Sequence, residues 1–182
     1  MTPRRKQIRY AFRDRLRGQT PAGDQVYATR MITADPERHP AIIGVYTFNE
    51  EVDPQRGYEP AGTNRRLLTL VVEIVAGGVD ADDRLDDIVD QVEERIASDP
   101  QLMSAGGVSQ PFVESVELQD FEVGRAEETD RLLIARQSWL VTYYTVEESQ
   151  EGETPSGLYV NEGEPYGREG EDDYKRILGL ND

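Results

Sequence analysis

A chain of 182 residues and 20.6 kDa has room for one domain, or for one domain and a tail. It holds 36 acidic residues against 20 basic ones, a net charge of −16, with 37% hydrophobic residues, one histidine (His39) and no cysteine. Disulfides, zinc–thiolate centres, iron–sulfur clusters and cysteine nucleophiles are therefore excluded. A surface that wraps nucleic acid is disfavoured, because phosphate contacts need Lys and Arg. No apolar run reaches the ~18–20 residues of a membrane helix, and Arg4, Arg5 and Lys6 are not followed by the apolar stretch of a secretory signal. Of the basic residues only Lys6 and Lys175 are lysines. A GC-rich coding sequence and a salt-loving host both produce that bias.

Charge is unevenly spread. Residues 1–17 carry seven basic side chains against Asp14, whereas residues 147–182 carry eleven acidic ones against Arg168, Lys175 and Arg176. The basic head predicts a helix: Thr2 suits the N-cap, Pro3 the first helical position, and Ile8, Ala11, Phe12 and Leu16 make one apolar stripe. Arg4 and Arg5 oppose the dipole of the first turn, which favours an external use for them. Gln25–Thr33 and Ala41–Phe48 read as strands. Asn49–Arg66, with Pro54, Gly57, Pro60 and Gly62, reads as a long polar loop. Leu67–Val75 is apolar on both faces, the pattern of a central strand, and Gly77-Gly78 breaks it.

Asp80–Ser98 is the clearest helix, with Leu85, Ile88, Val89, Val92 and Ile96 on one side and seven carboxylates on the other. Asp80 or Asp82 can cap it, and Asp99-Pro100 stops it. Val113–Val123 alternates, placing Val116 and Leu118 on one face and Val113, Phe121 and Val123 on the other. Leu132–Val146, containing Trp139 and Tyr143-Tyr144, completes an antiparallel hairpin with it. The order predicts an α+β fold over 1–146: a mixed or antiparallel four- to five-stranded sheet packed by two main helices. Residues 147–182 read as an acidic arm, flexible or docked on a neighbouring subunit. Tyr174, Ile177 and Leu178 within it have helical spacing and read either as a docking segment or as packing on their own domain.

Chemistry is sparse. His39 lies in a loop of the form Glu-Arg-His-Pro and reads as a solvated side chain. The acidic run from Asp80 fails the EF-hand pattern, with Leu85 where the turn glycine belongs and Gln91 where the bidentate glutamate belongs. Neither glycine pair is part of a P-loop or a dinucleotide fingerprint, and no strand–Ser–helix elbow is present. The expectation is a protein that is not an enzyme and needs no cofactor or metal.

Several segments together resemble a known family. They are Arg5-x-x-Ile8-Arg-Tyr-Ala-Phe12, His39-Pro-Ala-Ile-Ile-Gly-Val-Tyr46, Leu67–Val75, Leu85-Asp86-Asp87 with Ser98-Asp99-Pro100 after it, and Trp139-Leu-Val-Thr-Tyr-Tyr-Thr145. In this order they resemble the tail terminator proteins of long-tailed bacteriophages, of the lambda minor tail protein U type. The resemblance covers about residues 4–146, while 49–66 and 147–182 have no counterpart in the shorter members. It implies a structural virion protein that forms a ring, expected to be a homo-hexamer, on the finished tail tube. The ring stops tube growth and offers a surface to the head–tail connector or a head-completion protein. Its partners are then copies of itself, the tail tube protein and that head-side protein, with genome DNA only passing through the lumen and no membrane. Tail tube subunits and head-completion proteins of the same topology are the alternatives, and a small carboxylate-based hydrolase is a more distant one.

Opposite charge suggests where copies or partners meet. The candidate interface residues are Arg4, Arg5, Arg9 and Arg13 on the basic helix and Asp82, Asp83, Asp86, Asp87 and Asp90 on the acidic helix. To these are added Arg65 and Arg66 at the end of the polar loop, and Tyr174, Ile177 and Leu178 in the arm.

Overall fold

The apolar run around Leu67–Val75 becomes the middle strand of a five-stranded sheet. The computed structural model describes residues 3–30, 38–53, 63–103, 111–125 and 132–146. In chain order the elements are α1 (Arg4–Leu16), β1 (Val26–Tyr27), β2 (Ala41–Val52), β3 (Thr63–Gly77), α2 (Ala81–Ala97), β4 (Ser115–Arg125) and β5 (Leu132–Val146). The sheet order is β1-β2-β3-β5-β4, with β1 parallel to β2 and every other pair antiparallel. The architecture is α+β, as the order of sequence signals predicts.

Both helices lie on one face of the sheet. Ile8, Phe12 and Leu16 of α1 and Leu85, Ile88, Val92 and Ile96 of α2 pack on Ile43, Val45, Leu68, Leu70, Val72, Ile74, Ala135, Trp139 and Val141. Phe12 meets Trp139 edge-on, with ring centroids 6.3 Å apart. Burial of this apolar area is the main driving force for the fold. On the second face Ile42, Tyr46, Val71 and Val75 are also buried.

Some expectations need correction. The start of α1 is shifted by one residue: Pro3 takes the N-cap position and its carbonyl accepts from Lys6 N and Gln7 N, while Thr2 lies outside the described residues. Asp80 is the N-cap of α2 but makes no side-chain cap bond. The strand expected over Gln25–Thr33 shrinks to two residues paired with Ile43 and Gly44; residues 31–33 lie outside the described ones. The polar loop expected over Asn49–Arg66 is strand at both of its ends, since Asn49–Val52 pair with Thr69–Arg66, and Thr63–Arg66 pair with Val146–Tyr143. At those ends Glu50, Asp53, Arg65 and Arg66 are partners across the structure rather than signs of a loop. Residues 54–62 and the arm over 147–182 lie outside the described residues.

Two bulges change which side chains share a face. The β2–β3 register skips Phe48, and the β4–β5 register skips Gln119. An extra residue reverses the alternation beyond it. Past Phe48, Glu50 and Val52 turn to the helix side. Past Gln119, Phe121 and Val123 join Val116 and Leu118 on that same side, where plain alternation separates them.

Candidate functional site

Of the basic residues expected at an interface, four are engaged within the molecule. The Arg4 guanidinium stacks on the Phe112 ring at 3.7 Å and donates from Nη2 to the Phe112 carbonyl at 2.5 Å. Burial holds its pKa below the ordinary arginine value. Arg5 Nη1 donates to Glu50 Oε2 at 2.9 Å, and Arg66 Nη1 lies 3.6 Å from Glu50 Oε1. Glu50 also accepts from the Tyr143 hydroxyl. Burial alone pushes the Glu50 carboxyl up, but the hydrogen bonds from Tyr143 and Arg5 and the charge of Arg66 outweigh it and leave the pKa lowered. Tyr143 is pushed up by burial and by Glu50.

Arg65 bridges β3 to the approach to β4. Its Nε donates to Glu114 Oε2 at 2.9 Å and its Nη1 donates to the buried Asp53. These two bonds, Glu114 first, raise its pKa. Because the guanidinium is partly in solvent, Arg65→Ala is expected to cost about 1 kcal/mol. Chemical denaturation of the variant measures this directly.

Arg9 and Arg13 are placed differently. With Lys6 they surround the Tyr10 ring, at 5.7, 4.5 and 5.5 Å from its centroid. Arg13 also pairs with its neighbour Asp14 at 2.6 Å. On α2, Asp82, Asp83, Asp86, Asp87 and Asp90 are all exposed, with no hydrogen bond or ion pair among the described residues. The dipole of the helix favours Asp82 and Asp83 in its first turn. Among the described residues no three His, Asp or Glu side chains are grouped to hold a metal ion. Tyr174, Ile177 and Leu178 lie outside the described residues. The structure thus leaves Lys6, Arg9, Tyr10 and Arg13 on one helix, and five aspartates on the other, as the charged surfaces open to a partner.

Sequence reasoning misses three features. Arg15, not singled out by charge, ties the end of α1 to the end of α2 through the Arg95 carbonyl at 2.7 Å, Ser98 Oγ at 2.8 Å and Asp99 at 3.3 Å. On the helix-free face a shallow cleft of about 340 Å³ runs from Arg30, Tyr46 and Phe48 to Asp120 and Glu122. Arg30 sits 4.7 Å over the Tyr46 ring there, and Arg136 donates to Glu73 at 2.7 Å. Finally, Phe48, Phe121 and Val123 are exposed apolar side chains. Their hydrophobicity reads as core, and the bulges that set their direction leave no compositional trace.

No protein-family model and no curated protein matches the chain. Among solved structures it is similar to the sheath/tube terminator, in its extended state, of the PVC extracellular contractile injection system. The identity is 13%, covering 97% of this chain and 72% of that one, with a TM-score of 0.41. It is also similar to the tube-terminating cap of the anti-feeding prophage, at 15% identity over 84% of this chain and 59% of that one, with a TM-score of 0.38. A third similarity, to the type 4 fimbrial biogenesis protein PilO from Pseudomonas aeruginosa, has 17% identity over 57% of this chain and 58% of that one, with a TM-score of 0.21. The chain thus spans about three fifths of the second and third of these proteins. Superpositions this loose transfer no residue role to it.

Proposed function

We propose that this protein is a tail terminator: copies close into a ring, expected to be a hexamer, that caps a tail tube, halts its growth and presents a surface to the head-side connector. The observation that carries the reading is the order of the resembling segments. Apart from His39-Pro40 and Ser98–Pro100, which lie between elements, they fall on one core: Arg5–Phe12 on α1, Ala41–Tyr46 on β2, Leu67–Val75 on β3, Leu85–Asp87 on α2 and Trp139–Thr145 on β5. A ring needs two different patches on each copy, and the cations around Tyr10 and the aspartates of α2 are different patches of opposite sign. Such complementarity selects register and partner more than it supplies affinity. A net charge of −16 also gives a passing DNA duplex little to adhere to.

Light scattering and electron microscopy of the purified protein at high concentration, with and without tail tubes, test this reading. A single closed ring that binds tube ends is expected. Long open tubes identify a tube subunit instead, and a protein that stays monomeric overturns the proposal. The charge contribution is tested separately by Arg9→Glu with Arg13→Glu. Arg5 is left intact because reversing it sets a carboxylate against Glu50. Ring formation is expected to weaken about tenfold and to become less sensitive to salt; unchanged assembly removes the charged helix from the interface.

A further inference from the structure

The sheet has two unlike long edges. On one, β4 has no outer partner among the described residues. The bulge at Gln119 lines Leu118, Phe121 and Val123 along its helix side, and all three are exposed, Val123 to 56%. Glu117, Asp120 and Glu122 project from its other side, exposed as well. An open edge with a row of apolar side chains is a template for another chain.

On the opposite edge, β1 covers β2 at Ile43 and Gly44, and the rest of β2 has no outer partner among the described residues. Exposed apolar side chains recur here: Phe48 at 68%, Val52 at 40% and Tyr27 at 42%. The charge is reversed on the α1 flank above it, although β2 itself exposes Glu51. One flank of α1 holds Arg4 and Arg15, which reach Phe112 and the end of α2. The flank turned away from α2 carries Arg5, Arg9 and Arg13 at successive four-residue steps, and Arg5 reaches down to Glu50 of β2. The Nε of Arg9 is buried and has no acceptor among the described residues. On the sheet's other face Arg30 lies 6.0 Å from the Phe48 ring.

We infer that these two edges are the two halves of one interface, in which β4 of one copy docks on the α1–β2 edge of the next. This rests on the ring reading and specifies its contact. The apolar row Leu118–Phe121–Val123 then lies under the Arg9–Arg13 flank of the neighbouring α1, and Asp120 and Glu122 meet the neighbour's Arg30. The occupant is a second copy because each edge supplies what the other lacks. Pairing β4 with β4 sets carboxylate against carboxylate, and pairing the α1–β2 edge with itself sets guanidinium against guanidinium. The contact is therefore head to tail, the kind whose repetition closes a ring when the rotation per step divides a full turn.

Two variants of the full chain test this. Phe121→Lys with Val123→Lys blocks the β4 edge, and Phe48→Glu with Val52→Glu blocks the α1–β2 edge. All four side chains are exposed, so circular dichroism is expected to match that of the unaltered protein, and thermal melting to differ only by what assembly itself adds. Each variant alone is expected to weaken association between copies by about thirtyfold or more, as loss of a central aromatic anchor does. Mixed one to one, they are expected to associate into dimers and no further, because each retains the one edge its partner has lost and the outer edges of the pair are both blocked. If the unaltered protein forms rings and either variant still does, or if mixing restores nothing, the edge assignment is overturned while the ring reading stands. If the unaltered protein never assembles, both fall.

Discussion

Phe12→Ala is expected to destabilise the domain by about 3–5 kcal/mol. Phe12 is fully buried, stands in the middle of α1 and meets the Trp139 ring at 6.3 Å. Truncation loses the transfer energy of the ring and leaves a cavity between α1 and β5 that the surrounding strands, fixed by their ladder, cannot fill. Since a domain of this size has about 5–15 kcal/mol in total, the variant is expected to melt about 10 °C or more below the parent. Differential scanning calorimetry gives the result. A shift of a degree or two shows that α1 is peripheral to the core. Because α1 also carries the cations around Tyr10, the same variant is expected to lose assembly whenever the helix detaches.

Glu50→Gln is expected to cost about 2 kcal/mol at pH 7. The carboxylate gathers Arg5, Arg66 and Tyr143 at one end of the sheet, and its side chain is only 12% exposed. The amide keeps the shape but leaves Arg5 and Arg66 without their counter-charge. The pH dependence has a definite sign. In the folded protein the Glu50 carboxyl lies below its ordinary value of 4.5, so as pH falls the unfolded chain takes up this proton first. The stabilisation is complete above pH 4.5 and is lost as pH falls toward the folded value. Tyr143, held above its ordinary 10.0, gives the opposite limb: its contribution is present below pH 10 and is lost as pH rises. Urea melts of parent and variant between pH 3 and pH 8 are expected to converge at the acid end. A constant difference across that range assigns the effect to packing rather than to charge.

Strong periodic signals survive into the structure. The fifteen residues Leu132–Val146 form one strand from end to end, and the stripe Leu85, Ile88, Val92, Ile96 is the buried side of α2. These patterns are long and are set by burial, which a single sequence displays. What is hidden depends on pairing. Asn49–Val52 and Thr63–Arg66 look like loop because their charges have no visible partners, yet Arg65 finds Asp53 and Glu114, and Arg66 approaches Glu50. Likewise Arg4 and Arg5 sit badly against the helix dipole and so look external, but Phe112 and Glu50, far along the chain, engage them. A bulge is one residue long and no residue type announces it, so neither the position of Glu50 nor the shared face of Leu118 and Phe121 is legible beforehand.

The pairing of β3 with β5 runs from Thr63–Val146 to Gly77–Leu132, with α2 and β4 between them in the chain. The central ladder is therefore built from contacts of high sequence separation, which form slowly. On the ribosome the sheet cannot close until the last of β5 has left the exit tunnel. Until then β3, the most buried strand, has β2 on one side and nothing on the other.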